Sequence, residues 1–118
     1  MSCLFNSLSR LTGESAQQIR LKICDYLMND PALYEDLSAS LAVSIEKKME
    51  LSVYIQKMRS PATWGGAIEI RAFVNLWQRP VKVWAIRQKR WIEFPCQNPT
   101  GLECKISWSG GHYEPITH

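Results

Sequence analysis

Apolar residues in the first two thirds of the chain recur at three- and four-residue intervals, and in the last third they alternate with polar ones. Leu4, Phe5, Leu8 and Leu11 predict a helix that begins at Cys3 and is stopped by Gly13. Ser15 with Gln18 three residues later reads as a capping box, opening a helix whose face carries Ile19, Ile23 and Leu27 and which ends at Asn29-Asp30-Pro31. Further helical stretches are expected over 32–41 and 45–58, the second broken by Ser60-Pro61. After Trp64-Gly65-Gly66, the residues Ile70, Phe73, Val74 and Trp77 form the apolar stripe of one more helix before Arg79-Pro80.

From Val81 onward the period is two. Val81, Val83 and Ala85 alternate with Lys82, Trp84 and Ile86, Trp91 to Phe94 is a second strand, and Cys104, Ile106 and Trp108 alternate with Glu103, Lys105 and Ser107. Arg87-Gln88-Lys89-Arg90 reads as a solvated hairpin turn, with further turns at Asn98-Pro99-Thr100-Gly101 and Ser109-Gly110-Gly111. Helices first and strands last predict an α+β domain, its helices packed on a small, mostly antiparallel C-terminal sheet.

A chain of 118 residues with 46% hydrophobic content buries one core, so residues 1–118 are expected to form a single domain. No basic segment leads into an apolar run, and Gln78, Arg79, Pro80 and Lys82 interrupt the most apolar region, which argues against a signal peptide, a membrane span or a membrane partner. Four cysteines beside this much core are read as reduced thiols, which points to the cytoplasm, or a host cytoplasm. The net charge of +3 is mild and its basic residues are dispersed, so nucleic acid is not the expected partner. Trp84 and Trp91 beside the basic turn could stack on bases, but they suit strand packing equally well.

Cys3 and His112 stand 109 positions apart, a spacing compatible with a nucleophile and a base that meet only after folding. At a helix N-terminus the unpaired N–H groups and the helix dipole favour a thiolate, and the same N–H groups can bind an oxyanion. His112 opens a strand-like run, so its side chain and that of Glu114 share a face, and Glu114 could orient the imidazole. Zinc held by Cys96, Cys104, His112 and His118 is the competing use of these residues. The short knuckle of structural zinc sites is missing from their spacing, so neither a metal nor another cofactor is expected. Cys24 reads as a core residue.

Four blocks in this order resemble the ovarian tumour (OTU) family of cysteine proteases. They are Cys3-Leu4-Phe5-Asn6-Ser7-Leu8, then Trp64-Gly65-Gly66-Ala67-Ile68-Glu69-Ile70 with Ala72-Phe73, then Pro80-Val81-Lys82-Val83, then Gly111-His112-Tyr113-Glu114. The resemblance covers almost the whole chain. It implies a papain-like α+β fold and cleavage of ubiquitin, or a ubiquitin-like modifier, from its conjugates. It places the nucleophile at Cys3, the base at His112 and the orienting acid at Glu114. It also assigns substrate-binding positions to Ser2, Trp64, Gly65, Gly111 and Tyr113, with Trp64 and Gly65 lining or supporting the channel for the modifier's Gly-Gly tail. A monomer is expected.

The chain departs from the family pattern twice. Asp-Gly and one further residue usually precede the cysteine, where this chain has Met1-Ser2. Three readings stay open: the chain starts late, the oxyanion hole is incomplete, or Ser2 and Cys3 supply the donors. Glu114 stands where Asp or Asn is usual, a change of reach rather than charge. The short length fits a minimal or viral member, and the alternatives to a deubiquitinase are a catalytically impaired ubiquitin-binding module and a viral polyprotein-processing protease.

Overall fold

Helix α1 (Cys3–Thr12) begins where the apolar spacing places it, in a computed structural model that describes residues 3–117 and, for Cys3, the backbone alone. Ser2, the Cys3 thiol and His118 lie outside the described residues. Leu4, Phe5 and Leu8 turn the inner face of α1 into the core, and Gly13 follows with φ +83. Helix α2 (Ala16–Met28) starts at Ser15, whose hydroxyl accepts the Gln18 N–H at 3.1 Å, and buries Ile19, Ile23, Cys24 and Leu27.

The segment expected as one helix over 32–41 is a small antiparallel hairpin, β1 (Ala32–Tyr34) and β2 (Leu37–Ser38), followed by helix α3 (Ala39–Lys47). Two local features move the helix start. Leu33 is buried between exposed Ala32 and Tyr34, a period of two, and the Asp30 carboxylate accepts the Ser40 N–H at 2.8 Å while Ser38 accepts that of Leu41. The expected helix over 45–58 is likewise divided. Lys48 adopts the left-handed conformation, φ 55, and the chain restarts as α4 (Leu51–Met58), packed against α3. The break lets Ala42 and Val43 on one side of the turn and Tyr54, Ile55 and Met58 on the other all reach the core.

Helix α5 (Ala67–Trp77) occupies the middle of the molecule. An amphipathic stripe is the expectation, but Ile68 to Val74 are buried without interruption, because α2, α3, β1 and a strand of the main sheet surround it. Glu69 and Arg71 are therefore inside. Arg71 donates to Asn75 Oδ1 and to the Pro95 carbonyl at 2.9 Å each, tying down the chain beyond the sheet.

The main sheet has the order β4-β3-β5-β6, formed by β3 (Val81–Ala85), β4 (Arg90–Phe94), β5 (Cys104–Trp108) and β6 (Tyr113–Pro115). Pairs β3–β4 and β5–β6 are antiparallel, as expected, whereas the central pair β3–β5 is parallel. The parallel pair arises because the chain leaves β4, crosses the start of β3 and enters β5 on its other side. Thr100 N–H to the Gln78 carbonyl, Cys104 N–H to the Pro80 carbonyl and Arg79 Nε to the Leu102 carbonyl secure that crossing at 2.9, 2.9 and 2.7 Å. Val81, Val83, Ala85, Cys104 and Ile106 face the core, and α1 packs across β6. Among the described residues no helix is long and apolar enough to cross a membrane.

Candidate active site

Cys3 opens α1, and the two residues after it anchor the site to the core: Leu4 and Phe5 are fully buried. Gly65 lies directly against them. A methyl group at position 65 would stand 2.9 Å from Leu4 Cδ2 and 3.0 Å from Phe5 Cε2, closer than carbon atoms pack, so only glycine lets the loop settle on the first turn of α1. The adjoining Trp64 keeps most of its side chain in solvent, with the ring edge toward Gly111, where a methyl group would meet Cζ3 at 3.5 Å.

Gly111 precedes His112 in a tight turn closed by the Ser109 N–H bond to the His112 carbonyl at 3.0 Å. Gly110 in that turn has φ +101, a conformation that a side chain disfavours. His112 Nε2 stands 3.4 Å from Glu114 Oε1, with 54% and 68% of the two side chains exposed. The pair therefore shares a face, as the two-residue period predicts, at a separation that is loose for a hydrogen bond. Tyr113 turns the other way, onto the core, with its ring stacked on Trp108 at 6.5 Å, and burial pushes its phenol up.

The candidate positions Trp64, Gly65, Gly111, His112 and Glu114 thus converge on the end of the molecule where α1 begins, although they come from two parts of the chain remote from it. A residue without an expected role supports them. Glu69, fully buried at the third position of α5, accepts the Gly66 N–H on Oε1 at 2.7 Å and the Tyr54 hydroxyl on Oε2 at 2.5 Å. Burial pushes its carboxyl up, opposed by these two bonds. The Gly66-x-x-Glu69 spacing is the returning half of a capping box, a signal present in the sequence. Gly66 has no side chain to complete the other half.

Cys24 and Cys104 are buried thiols remote from this chemistry in character, Cys24 being pushed up to about 11 by desolvation. Open cavities of about 510, 450 and 580 Å³ lie elsewhere, along α2 and α5, at the α3–α4 turn, and beside Tyr34, Arg71 and Cys96. The candidate site is instead an exposed surface. Among the described residues no three His, Cys, Asp or Glu side chains are gathered as metal ligands.

A family model described as OTU-like cysteine protease matches residues 2–109. A Schizosaccharomyces pombe protein named as a candidate ubiquitin thioesterase, otu1, is 27% identical over 113 residues, which cover 96% of this chain and 32% of that protein. The chain thus spans about a third of the length of the curated relative it matches. An ovarian tumour domain solved in complex with ubiquitin superposes with a TM-score of 0.77 at 22% identity, covering 98% of this chain and 63% of that one. The OTU domain of OTUD1 gives 0.73 at 13% identity, over 98% and 79%. At these identities the two structures establish a shared fold.

Proposed function

The chain belongs to the OTU-like cysteine protease family, and from that footing we propose that it hydrolyses the bond after the C-terminal glycine of ubiquitin or a ubiquitin-like modifier. Cys3 is the nucleophile, His112 the base and Glu114 the group that orients the imidazole. The observation that carries this reading is the placement of the Trp64-Gly65 loop, with Gly65 tight against Leu4 and Phe5 beside Cys3 and the Trp64 ring about a methyl group's width from Gly111 beside His112.

His112 takes the thiol proton, and the Cys3 sulfur attacks the carbonyl carbon at the scissile bond. The oxyanion that forms is met by N–H groups at the start of α1, where the helix dipole also favours negative charge. The amine leaves with the proton from His112, and water, activated by the same imidazole, releases the acyl group and restores the thiol. Glu114 steadies the imidazolium in both halves. Trp64 and Gly65 border the approach of the modifier's Gly-Gly tail, and Gly65 lets this border settle on the first turn of α1.

The test is covalent capture. Incubation with ubiquitin carrying a C-terminal electrophile is expected to give a one-to-one adduct by mass that disappears in Cys3→Ala. Noncovalent binding without an adduct would make the chain a ubiquitin-binding module, and cleavage of a peptide junction with ubiquitin conjugates left intact would make it a processing protease.

A further inference from the structure

The carboxylate of Glu69 is the most costly side chain on α5 to bury, and the reading of Cys3 and His112 as the reacting pair leaves it without a task. It is 1% exposed in a helix whose other buried residues, Arg71 excepted, are apolar. Both of its oxygens are engaged. Oε1 holds the Gly66 N–H at 2.7 Å, and Oε2 holds the hydroxyl of Tyr54, itself 6% exposed and supplied by α4. The peptide between Gly65 and Gly66 is therefore pinned from beneath by a chain of two hydrogen bonds that ends in the core.

What that peptide carries makes the bond consequential. On one side Gly65 is wedged against Leu4 and Phe5, the residues next to Cys3. On the other side the Trp64 ring faces Gly111, the residue next to His112, across a space that one methyl group would fill. A shift of the pinned peptide would move the loop against both at once, and core packing around Leu4 and Phe5 leaves little room to absorb the shift.

We propose that Glu69, backed by Tyr54, is a positioning residue that sets the alignment of the Cys3 end of α1 with the Gly111-His112 turn by fixing the Trp64-Gly65-Gly66 loop between them. It touches neither substrate nor reacting atoms. This rests on the function proposed above, so its test includes a measurement that does not need activity.

Three variants separate the roles. In Glu69→Gln the amide oxygen can still accept from Gly66 and the amide N–H can donate to Tyr54, so alignment is kept. Glu69→Met fills similar space without an acceptor and so removes the pin, leaving the Tyr54 hydroxyl and the Gly66 N–H unpaired, so its urea midpoint is measured beside that of the parent and kinetics and spectra are compared where it is folded. Tyr54→Phe removes only the backing bond. Cleavage of ubiquitin bearing a C-terminal fluorogenic amide is expected to fall by about 10²-fold in kcat for Glu69→Met, as for an ångström-scale misplacement, with a smaller change in KM. Glu69→Gln should lie closer to the parent than to Glu69→Met, and Tyr54→Phe should fall between them. The pH profile of Cys3 alkylation by iodoacetamide should move toward that of an ordinary thiol in Glu69→Met alone. In NMR spectra of the parent the Gly111 Hα resonances are expected to be displaced by the nearby Trp64 ring; they should move toward unperturbed values in folded Glu69→Met and stay in place in Glu69→Gln. Unchanged Gly111 resonances in folded Glu69→Met would overturn the proposal whatever the activity. A parent protein that neither cleaves nor is captured would overturn the proposed function, while the Gly111 resonances would still decide the role of Glu69.

Discussion

Trp64 turns its ring edge toward Gly111, with 3.5 Å between Cζ3 and the place a methyl group on that glycine would occupy. The loop that settles on the start of α1 thereby also approaches the turn that presents His112. Two glycines of the site therefore serve different ends: Gly65 permits close approach to α1, whereas Gly110 supplies a backbone conformation.

Gly65→Ala should destabilise the fold by about 1–3 kcal/mol, the range for overpacking a filled site. Leu4 and Phe5 are buried and cannot yield without disturbing α1. A lower urea midpoint together with reduced turnover is expected. A variant with parental stability would show that the loop is not wedged.

Gly110→Ala tests the turn and not the contact. At φ +101 an alanine is strained by about 1–3 kcal/mol, and relief of the strain would reorganise the Ser109–His112 turn. Turnover should fall further than it does in an equally destabilised variant remote from His112. Chemical denaturation paired with steady-state kinetics measures both effects.

Glu114 should matter for rate and hardly at all for stability. Its pairing with His112 is exposed on both sides, and such pairs contribute about 0–1 kcal/mol. Glu114→Ala and Glu114→Gln should both unfold at the parental denaturant concentration. Turnover should fall more in Glu114→Ala, since the amide of Gln can still accept a hydrogen bond from the imidazole.

Burial of Glu69 makes stability depend on pH in a stated direction. Its carboxyl is raised above the ordinary 4.5 in the folded protein, so below 4.5 the acid is protonated in both states and costs nothing. As pH rises from there through the folded value, the unfolded chain releases the proton first and the native state loses stability. The denaturant midpoint of the parent relative to Glu69→Gln should therefore drop between about pH 4 and neutral pH. A constant difference would mean that Glu69 ionises as readily inside the fold as outside it.

The thiols should separate by reactivity. Burial pushes Cys24 up to about 11 and raises Cys104 as well, so neither holds appreciable thiolate near neutral pH. Brief alkylation of the native protein followed by peptide mass analysis should label Cys3 ahead of both. Labelling of Cys24 at the rate of Cys3 would contradict the proposed nucleophile.

Much of the fold could be read along the chain because its determinants are local. The apolar spacing around Leu4, Phe5 and Leu8, the Ser15 cap and the alternation from Val81 to Ala85 each act within a few residues, and α1, α2 and β3 formed where those signals stood. The segment 32–58 misled for the same reason. Leu33 fits a helix or a strand by spacing alone, and the Ser38 cap together with Asp30, folding back onto Ser40, delays the helix to Ala39.

The sequence by itself determined which residue types the site contains and that His112 and Glu114 share a face, since a strand alternates whatever surrounds it. Tertiary structure decided the rest: that β5 runs parallel beside β3, that α5 is buried from Ile68 to Val74, and that Trp64 and Gly65 lie between α1 and the His112 turn. These depend on contacts between residues tens of positions apart, whose strength is set by packing shape and burial, and neither quantity is written in local periodicity. Glu69 shows the division most clearly. Its spacing from Gly66 is visible in the sequence, but its burial, and with it the weight of that one hydrogen bond, exists only once α5 is surrounded.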